Sequence, residues 1–316
     1  MPDSGRAVPT REVPHLEMRV RILGADSFGS RSMATAVEAG GVKILIDPGV
    51  SYAPRRYGLP PHPLEVKRLE EIRDRIIDEM RDADYVVITH YHYDHYLHRP
   101  EYAELYRGKV LLVKHPKAYI NVSQRIRAHR FLKLNRVAEL ANEVIYIDSG
   151  SYVIDEGLVI RASPPVPHGA EGSKLGYVVM VVVECCGMRF MHGSDTQGPM
   201  SREALKFIES VRPSLLFISG PPTYFAGFKV PREEVERGLE GLVEAASHVE
   251  ELVVADHHFA RDLEYPRLLR EVSAAAGRPV VSAAEYMGVP YEPLEALRRH
   301  LWREHEGETA DSDRAS

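Results

Sequence analysis

Side-chain amides and cysteine are both scarce in this sequence. Among its 316 residues, Asn occurs three times and Gln twice. A shortage of these residues beside abundant Arg, Glu and Pro is typical of thermophilic proteins, so we expect a thermophilic source. The two cysteines, Cys185 and Cys186, are adjacent. Adjacent positions exclude the usual geometry of a structural disulfide and offer no CxxC-type zinc site.

Long apolar runs are also missing. The N-terminal stretch MPDSGRAVPTREVPHLEMRV has no apolar core of a secretion signal, and no later segment approaches the roughly 18 uncharged residues of a membrane span. The formal net charge of -6 argues against a protein that coats nucleic acid or an anionic membrane. These absences predict a cytoplasmic protein without membrane contact, and they leave open whether its substrate is a small molecule or a nucleic acid. Nucleic acid is not favoured as a partner, and no sequence feature specifies an oligomeric state.

Hydrophobic residues make up 44% of the chain, which is enough for the core of one large domain. We predict a single domain over residues 17–302, between a flexible N-terminal arm at 1–16 and a flexible C-terminal tail at 303–316. From Leu64 to Met80 the apolar residues follow the spacing of a helix with one buried face. Strand-like runs alternate with such segments, so we expect sheets that are covered by helices.

The second half of the sequence repeats the first in outline. The runs LVIRASPPVPHG, KLGYVVMVVVECCG and MRFMHGSDTQG follow the same pattern as MRVRILGADSFG, SMATAVEAGG and VKILIDPG. Asp47 and Asp195 each lie near the end of the third run of their half. Two similar α/β halves, each a sheet with helices outside, predict a four-layer αββα sandwich with both sheets packed in the middle.

The stretch VVITHYHYDHYLH concentrates titratable side chains directly after a β-branched run. His90 and His92 are two residues apart, so both rings point the same way in an extended backbone. Asp94 and His95 lie just beyond, and imidazole and carboxylate are ligands that zinc favours. The cluster offers two ligands for each of two ions, so further ligands must come from elsewhere in the chain.

Suitable donors follow later apolar runs. His168 closes LVIRASPPVPHG, Asp195 follows MRFMHGS, and His257 and His258 follow LVVAD. Loops at strand ends are where a rigid scaffold presents functional residues. These donors predict one ion on His90, His92 and His168 and a second on Asp94, His95 and His258, with Asp195 bridging both.

The order of these motifs resembles that of the metallo-β-lactamase superfamily. The HxHxDH pattern at 90–95 is preceded by Asp47-Pro48-Gly49 and followed by His168, Asp195 and a terminal His, over roughly residues 18 to 260. Within that superfamily the chain is similar to a mainly archaeal branch of predicted metal-dependent hydrolases. The resemblance implies the αββα fold with a metal site at one edge of the sheets. It also implies that Asp47 supports a metal-bound histidine, and HHFAR resembles the HFSxR ending of the nuclease branch, which favours His258 over the alternative His257.

The expected activity is hydrolysis by a dinuclear metal centre. Two divalent ions, zinc first and Fe or Mn as alternatives, would share a bridging hydroxide. Asp94 and Asp195 would orient this nucleophile, with Asp47 as a further catalytic candidate. No cysteine stands at a ligand position, which argues against an antibiotic substrate. The alternatives are an iron-dependent oxidoreductase on the same fold and a lactone or thioester hydrolase.

Three side chains are candidates for substrate binding. Arg31 lies in DSFGSRS, a loop that offers amides and hydroxyls to an anion. Arg125 belongs to a basic segment between Lys114 and Ala138 that contains no acidic residue, and Tyr224 follows a strand. A cluster of cations in a chain of net negative charge predicts a phosphoester or another anionic substrate. A solvated helix face and a tight turn are the alternative interpretations.

Overall fold

The computed structural model describes residues 17–315, with side chains as far as His305. The predicted arm at 1–16 lies outside the described residues. The strands follow the β-branched and alternating runs of the sequence, and they are β1 Arg19–Ile22, β2 Thr35–Ala39, β3 Val42–Ile46, β4 Tyr85–Ile88, β5 Val110–Val113, β6 Glu143–Tyr146, β7 Gly150–Asp155, β8 Leu158–Ala162, β9 Val166–Pro167, β10 Tyr177–Val178, β11 Val181–Cys185, β12 Met188–His192, β13 Leu215–Ser219, β14 Leu252–Asp256 and β15 Val280–Val281.

Helices connect the strands and cover the sheets. They are α1 Pro63–Arg81, α2 Val122–His129, α3 Val137–Leu140, α4 Arg202–Val211, α5 Arg232–Ser247, α6 Tyr265–Ala276, α7 Ala283–Met287 and α8 Leu294–Ala315. The amphipathic pattern that starts at Leu64 forms α1, which buries Ile72, Ile76 and Met80. The basic segment is not one continuous helix, because a π-helical turn at Arg130–Leu134 and a left-handed Arg136 separate α2 from α3.

The two halves have the same strand topology. One sheet has the order β1-β2-β3-β4-β5-β6, and the other has the order β15-β14-β13-β12-β11-β8-β7. In the first sheet, β1, β2 and β3 pair antiparallel and β3 to β6 pair parallel. The second sheet repeats this arrangement: β8, β11 and β12 pair antiparallel, and β12 to β15 pair parallel. It has one more strand, β7, at the edge beside β8. The internal repeat predicted from the sequence is therefore a repeat of topology.

The sheets lie between layers of helices. Along β11, Val181 and Val183 belong to the core shared with the first sheet. Val182, between them, faces the opposite side and packs in a second core with residues of α4, α5 and α6. Because side chains alternate along a strand, the second sheet is covered on both faces. The arrangement confirms the predicted α/β sandwich with two sheets inside.

The backbone at 303–315 continues α8. Just before this segment, Trp302 donates from Nε1 to the Pro60 carbonyl at 3.0 Å and its ring packs edge-on against His62, with centroids 5.1 Å apart. The flexible tail at 303–316 stays a prediction.

Candidate metal centre

The predicted ligands lie at one edge of the two sheets. Asp47 follows β3 and the HxHxDH motif follows β4 in the first sheet, while Asp195 and His257 follow β12 and β14 in the second. His168 directly follows β9. Parallel strands present their carboxyl ends at the same edge. The topological repeat therefore brings residues that are up to 210 positions apart in sequence to one place.

The first cluster consists of three histidines and an aspartate. The candidate ligand atoms of His90, His92, His168 and Asp195 all lie within 4.8 Å of one another. The ring centroids of His90 and His168 are 5.3 Å apart, and those of His92 and His168 are 4.8 Å apart. The rings thus converge on one point from two halves of the chain.

A second cluster contains Asp94, His95 and His257, again within 4.8 Å. His257 Nε2 is 3.7 Å from Asp94 Oδ2 and 3.5 Å from Asp195 Oδ2, so Asp195 lies between the two clusters. His258, which the sequence analysis favoured, is not grouped with Asp94 and His95, but it forms a further group with Asp195 and His257, whose ligand atoms also lie within 4.8 Å of one another. The sequence could not separate these neighbours, because the outcome depends on the turn after β14, where His257 adopts a left-handed φ of 60°.

Several ligand atoms in these clusters have no hydrogen-bond partner among the described residues. They are buried, and they are His90 Nε2, His95 Nε2, His168 Nε2 and Asp195 Oδ1. His168 Nε2 approaches Asp195 Oδ2 to 2.8 Å without forming a hydrogen bond. A buried polar atom without a partner costs about 1–3 kcal/mol, so four in one place require an explanation. Divalent metal ions fit this set of converging donors, because imidazole and carboxylate are their preferred ligands.

Asp47 orients His95, a member of the second cluster, through a hydrogen bond to the ring nitrogen that faces away from the cluster. Its Oδ2 accepts hydrogen bonds from His95 Nδ1 at 2.8 Å and from the Thr89 hydroxyl at 2.6 Å, and its Oδ1 accepts from the Thr89 amide at 2.8 Å. The bond to Nδ1 leaves His95 Nε2 directed at the cluster. A carboxylate in this position fixes both the tautomer and the ring orientation of a ligand histidine.

Asp26 has the same relation to His257, and the sequence analysis did not identify it. Its Oδ2 is 2.8 Å from His257 Nδ1, and its Oδ1 accepts a bond of 2.5 Å from Arg261 Nε. Asp26 follows β1 in the loop DSFGSRS, whose amides and hydroxyls indicated anion binding. The sequence feature that could have indicated Asp26 is its position after the first strand of the repeat. Its partner, His257, is 231 residues away, so only the fold shows that the two side chains meet.

The protonation states of two of these groups, His90 and Asp195, suit metal binding. Burial, and then the nearby rings of His95, His92 and His168, holds the pKa of His90 well below its ordinary value. Burial alone would raise the pKa of Asp195, but the histidines around it, His168 foremost, outweigh burial and hold that pKa well below the ordinary value. Neutral imidazole and ionised carboxylate are the forms in which these groups bind metal.

His258 and Tyr224 lie together beside the clusters. His258 Nε2 is 3.2 Å from Asp195 Oδ2, and its Nδ1 is 3.2 Å from the Tyr224 hydroxyl and 3.1 Å from Arg261 Nη1. Since a guanidinium only donates, Nδ1 accepts and the ring proton is on Nε2. Burial and then Arg261 lower the pKa of His258 to about 3. His258 is therefore a neutral hydrogen-bond donor at the edge of the site.

The three predicted substrate residues do not lie together. Arg31 and Tyr224 line one pocket beside His258, where Arg31 makes a two-point ion pair of 2.6 and 2.7 Å with Glu295. Arg125 is exposed on α2 and lines a different pocket, which includes none of the residues of the two clusters. The structure thus separates Arg125 from the other two among the residues it describes.

The chain is similar to proteins of one superfamily over most of its length. Residues 28–226 match the family described as the beta-lactamase superfamily domain. A UPF0282 protein of Aeropyrum pernix is 46% identical over 297 residues, which cover 92% of this chain and 100% of that protein. A UPF0282 protein of Thermococcus kodakarensis is 44% identical over 308 residues, with coverage of 93% and 98%.

Among solved structures, unliganded yeast PDE1 has a TM-score of 0.50 to this chain at 10% identity, covering 84% of this chain and 97% of that one. At such low identity the likeness concerns the fold alone. None of the helices between residues 17 and 315 combines the length and the apolar character that crossing a bilayer takes.

Proposed function

The chain belongs to the beta-lactamase superfamily, and from that premise we propose that it is a hydrolase that uses two divalent metal ions on an anionic ester. One observation carries the proposal. Two clusters of imidazole and carboxylate donors, most of them buried, share a region around Asp195 and contain four ligand atoms without hydrogen-bond partners among the described residues.

In this proposal one ion is held by His90, His92, His168 and Asp195. The other is held by Asp94, His95 and His257, with Asp195 adjacent to both. The 3.7 Å separation of His257 Nε2 and Asp94 Oδ2 supports His257 as the ligand in place of His258. Zinc suits a set of imidazole and carboxylate donors, and Fe or Mn are the alternatives.

Divalent ions in this site would supply Lewis acidity, which makes water nucleophilic at neutral pH and polarises the group under attack. The chain's own residues do the rest. Asp47 and Asp26 hold the rings of His95 and His257 in place through Nδ1. Burial keeps Tyr224 protonated by raising its pKa, and its hydroxyl lies 3.2 Å from His258 Nδ1 at the edge of the site. The net reaction adds water across an ester bond: the attacked group gains the water oxygen, and the leaving oxygen gains a proton.

Elemental analysis of protein purified without added metal tests the ligand assignment. We expect about two metal ions per chain, as in dinuclear hydrolases. Both His92→Ala and Asp195→Ala should lose metal and abolish turnover of bis-p-nitrophenyl phosphate and of p-nitrophenyl acetate. His257→Ala should lose one of the two ions, whereas His258→Ala should keep both.

The histidine pair is a matched control, since the two substitutions are chemically identical and adjacent. If His258→Ala loses the ion and His257→Ala does not, the ligand assignment is wrong. Protein without metal, or with a metal content that none of the four substitutions changes, would exclude the proposal altogether. Iron with a visible absorption band and no ester turnover would identify the oxidoreductase alternative.

A further inference from the structure

A pocket of about 920 Å³ lies beside the metal clusters, with His258 in its wall. Five separate parts of the chain form it: Arg31 in the loop before β2, the loop at 53–58, the segment at 224–229 after β13, the segment at 258–263 after β14, and α8. A volume of this size is in the range of pockets for small ligands. The α8 wall lies outside the residues that match the superfamily domain.

The lining of this pocket is strongly cationic. Six of its side chains carry positive charge: Arg31, Arg55, Arg56, Lys229, Arg261 and Arg299. Glu295 neutralises Arg31 and Asp26 neutralises Arg261. Arg55, Lys229 and Arg299 have no carboxylate partner among the side chains described to residue 305, and Asp262 is the single acidic residue of the lining. The pocket therefore retains a net positive charge for an anion.

Arg56 is the most constrained of these cations. It is 9% exposed, and its guanidinium carbon lies 4.1 Å from the centre of the Tyr224 ring and 4.7 Å from that of Tyr57. Its Nη2 donates to the Arg261 carbonyl at 3.1 Å and its Nη1 lies 3.7 Å from Glu295, whereas its buried Nε has no hydrogen-bond partner among the described residues. A buried guanidinium with one donor unused is typical of a prepared anion site.

Aromatic rings accompany the charges. The rings of Tyr57, Tyr224, Phe225 and Phe228 line the pocket. Phe228 is 80% exposed, and Lys229 Nζ lies 4.6 Å from the centre of the Phe225 ring. Exposed aromatic faces beside cations are the usual platform on which a planar ring of a ligand stacks. A neutral lactone or a simple thioester would use neither the unpaired cations nor these rings.

A buried ion pair and two hydrogen bonds hold the loop at 53–58, which forms one side of the pocket. Arg298 is fully buried on α8, forms a two-point ion pair of 2.6 Å with Glu65, and donates to the carbonyls of Ala53 and Leu59 at 3.0 and 3.2 Å. These bonds hold the loop that carries Arg55, Arg56 and Tyr57. A site that is already ordered loses less entropy when a ligand binds.

We propose that this pocket binds the substrate as a phosphate ester that carries a planar ring, the chemical class of the nucleotides, with the phosphate towards His258 and the ring among the aromatic side chains. The assignment rests on the proposed hydrolase function and narrows its substrate. The pocket volume of about 920 Å³ favours a ligand of mononucleotide size over a nucleic-acid strand.

Calorimetric titration of the full, metal-containing chain tests this with three probes: adenosine 5′-monophosphate, adenosine and inorganic phosphate. The monophosphate should bind at least about tenfold more tightly than either of the other two. Arg299→Gln, on the exposed side of α8, and Arg56→Gln should each weaken it about tenfold or more, because each removes a charge-assisted contact. Adenosine should bind all three proteins equally.

Arg125→Gln is the matched control, because it makes the same chemical change on an exposed arginine outside the pocket. It should leave the affinity within about twofold. If Arg56→Gln fails to fold, the affinity of the Arg299→Gln protein for the monophosphate is sufficient to test the proposal. The proposal is overturned if Arg125→Gln weakens binding as much as Arg299→Gln does, if phosphate binds as tightly as the monophosphate, or if single-stranded oligoadenylate binds more than about tenfold more tightly.

The His92→Ala background separates this proposal from the hydrolase proposal. Arg299→Gln should weaken the binding of adenosine 5′-monophosphate by the same factor in the His92→Ala protein as in the wild type, since Arg299 lies in the pocket and not in the metal clusters. If no ester is hydrolysed by the wild type and that weakening is still observed, the hydrolase proposal fails and the pocket assignment stands. Absence of the weakening in both backgrounds would overturn the pocket assignment.

Discussion

At the residue scale, Gly49 determines how closely the two turns of the first half approach each other. It follows Asp47 and Pro48, and a Cβ added to it would lie 2.0 Å from the Tyr96 amide nitrogen and 2.5 Å from the His95 carbonyl carbon. No side chain fits between these backbones. The short distance lets Asp47 reach the ring of His95.

Gly49→Ala should therefore displace the segment around His95. We expect a loss of about 2–3 kcal/mol in the free energy of unfolding, as in overpacked cores, together with reduced metal content. Denaturant titration and elemental analysis measure both. Gly157→Ala is the control, because an added Cβ there meets open space and the cost comes from the positive φ of 82° alone. It should lower the free energy of unfolding by about 1 kcal/mol and leave the metal content unchanged. Equal effects of the two substitutions would contradict the steric argument.

Asp26→Asn should weaken the binding of one metal ion. The substitution keeps the size of the side chain but removes the carboxylate that orients His257, and losses of such partners lower metal affinity by roughly 10- to 100-fold. Competition with a chromophoric chelator would show one weakened site and one unchanged site. Asp78→Asn on the exposed face of α1 should leave both sites as they are. A uniform weakening of both ions would indicate a general structural effect instead.

At the scale of elements, α8 connects the C-terminus of the domain to the pocket. Glu295 near its start binds Arg31 at 2.6 Å and lies 3.7 Å from Arg56, and Arg298 one turn later holds the loop before α1. Burial by itself would raise the pKa of Glu295, but Arg31, and then Arg261 and Arg56, lower it to about 2. The helix is thus attached through ion pairs as well as through apolar contacts.

The ion pairs of Glu295 should make stability depend on pH in the acid range. Because its pKa is lowered from 4.5 to about 2 on folding, its contribution is complete above pH 4.5 and is lost as the pH falls towards 2. Glu295→Gln should therefore be less stable than the wild type at pH 7, and the difference should shrink by roughly 3 kcal/mol between pH 4.5 and 2. Urea titrations across this range measure it, with Glu156→Gln in an exposed turn as the control. If the difference in stability between Glu295→Gln and the wild type does not change with pH, the ion pairs of Glu295 do not cause the acid dependence.

At the scale of the whole molecule, the metal site lies where the two halves meet. The Thr89 hydroxyl in the first half and the Ser194 hydroxyl in the second are 2.6 Å apart, and the Ser27 amide donates to Asp256 Oδ1 at 3.1 Å. Each half contributes candidate ligands to both clusters. Metal binding and the packing of the halves should therefore be coupled.

Removal of metal should lower the melting temperature. A ligand present at 100 to 1,000 times its Kd stabilises the folded state by about 2.7–4.1 kcal/mol, which corresponds to a shift of roughly 4–6 °C in a chain of this size. Differential scanning calorimetry before and after chelation measures the shift. His92→Ala should start lower and respond less to the chelator. An unchanged melting temperature in the wild type would argue against a shared, structural metal site.

The sequence by itself determined the fold class, because the repeated order of strand-like runs and amphipathic segments depends only on local patterns. The two sheets, the covering helices and the repeat of topology follow it closely. It also determined which residue types follow the strands, so His90, His92, Asp94, His95, His168 and Asp195 could be named as candidates. Local periodicity could not reveal that the residues after 302 continue a helix.

Only the tertiary structure decided which of these candidates meet. It places His257, and not the preferred His258, beside Asp94 and His95, because the left-handed turn after β14 sets the direction of each ring. It pairs Asp26 with a histidine 231 residues away, and it puts Arg125 on a different surface from Arg31 and Tyr224. Contacts of this kind depend on distances between elements that are remote in sequence, and no local pattern of residues contains those distances.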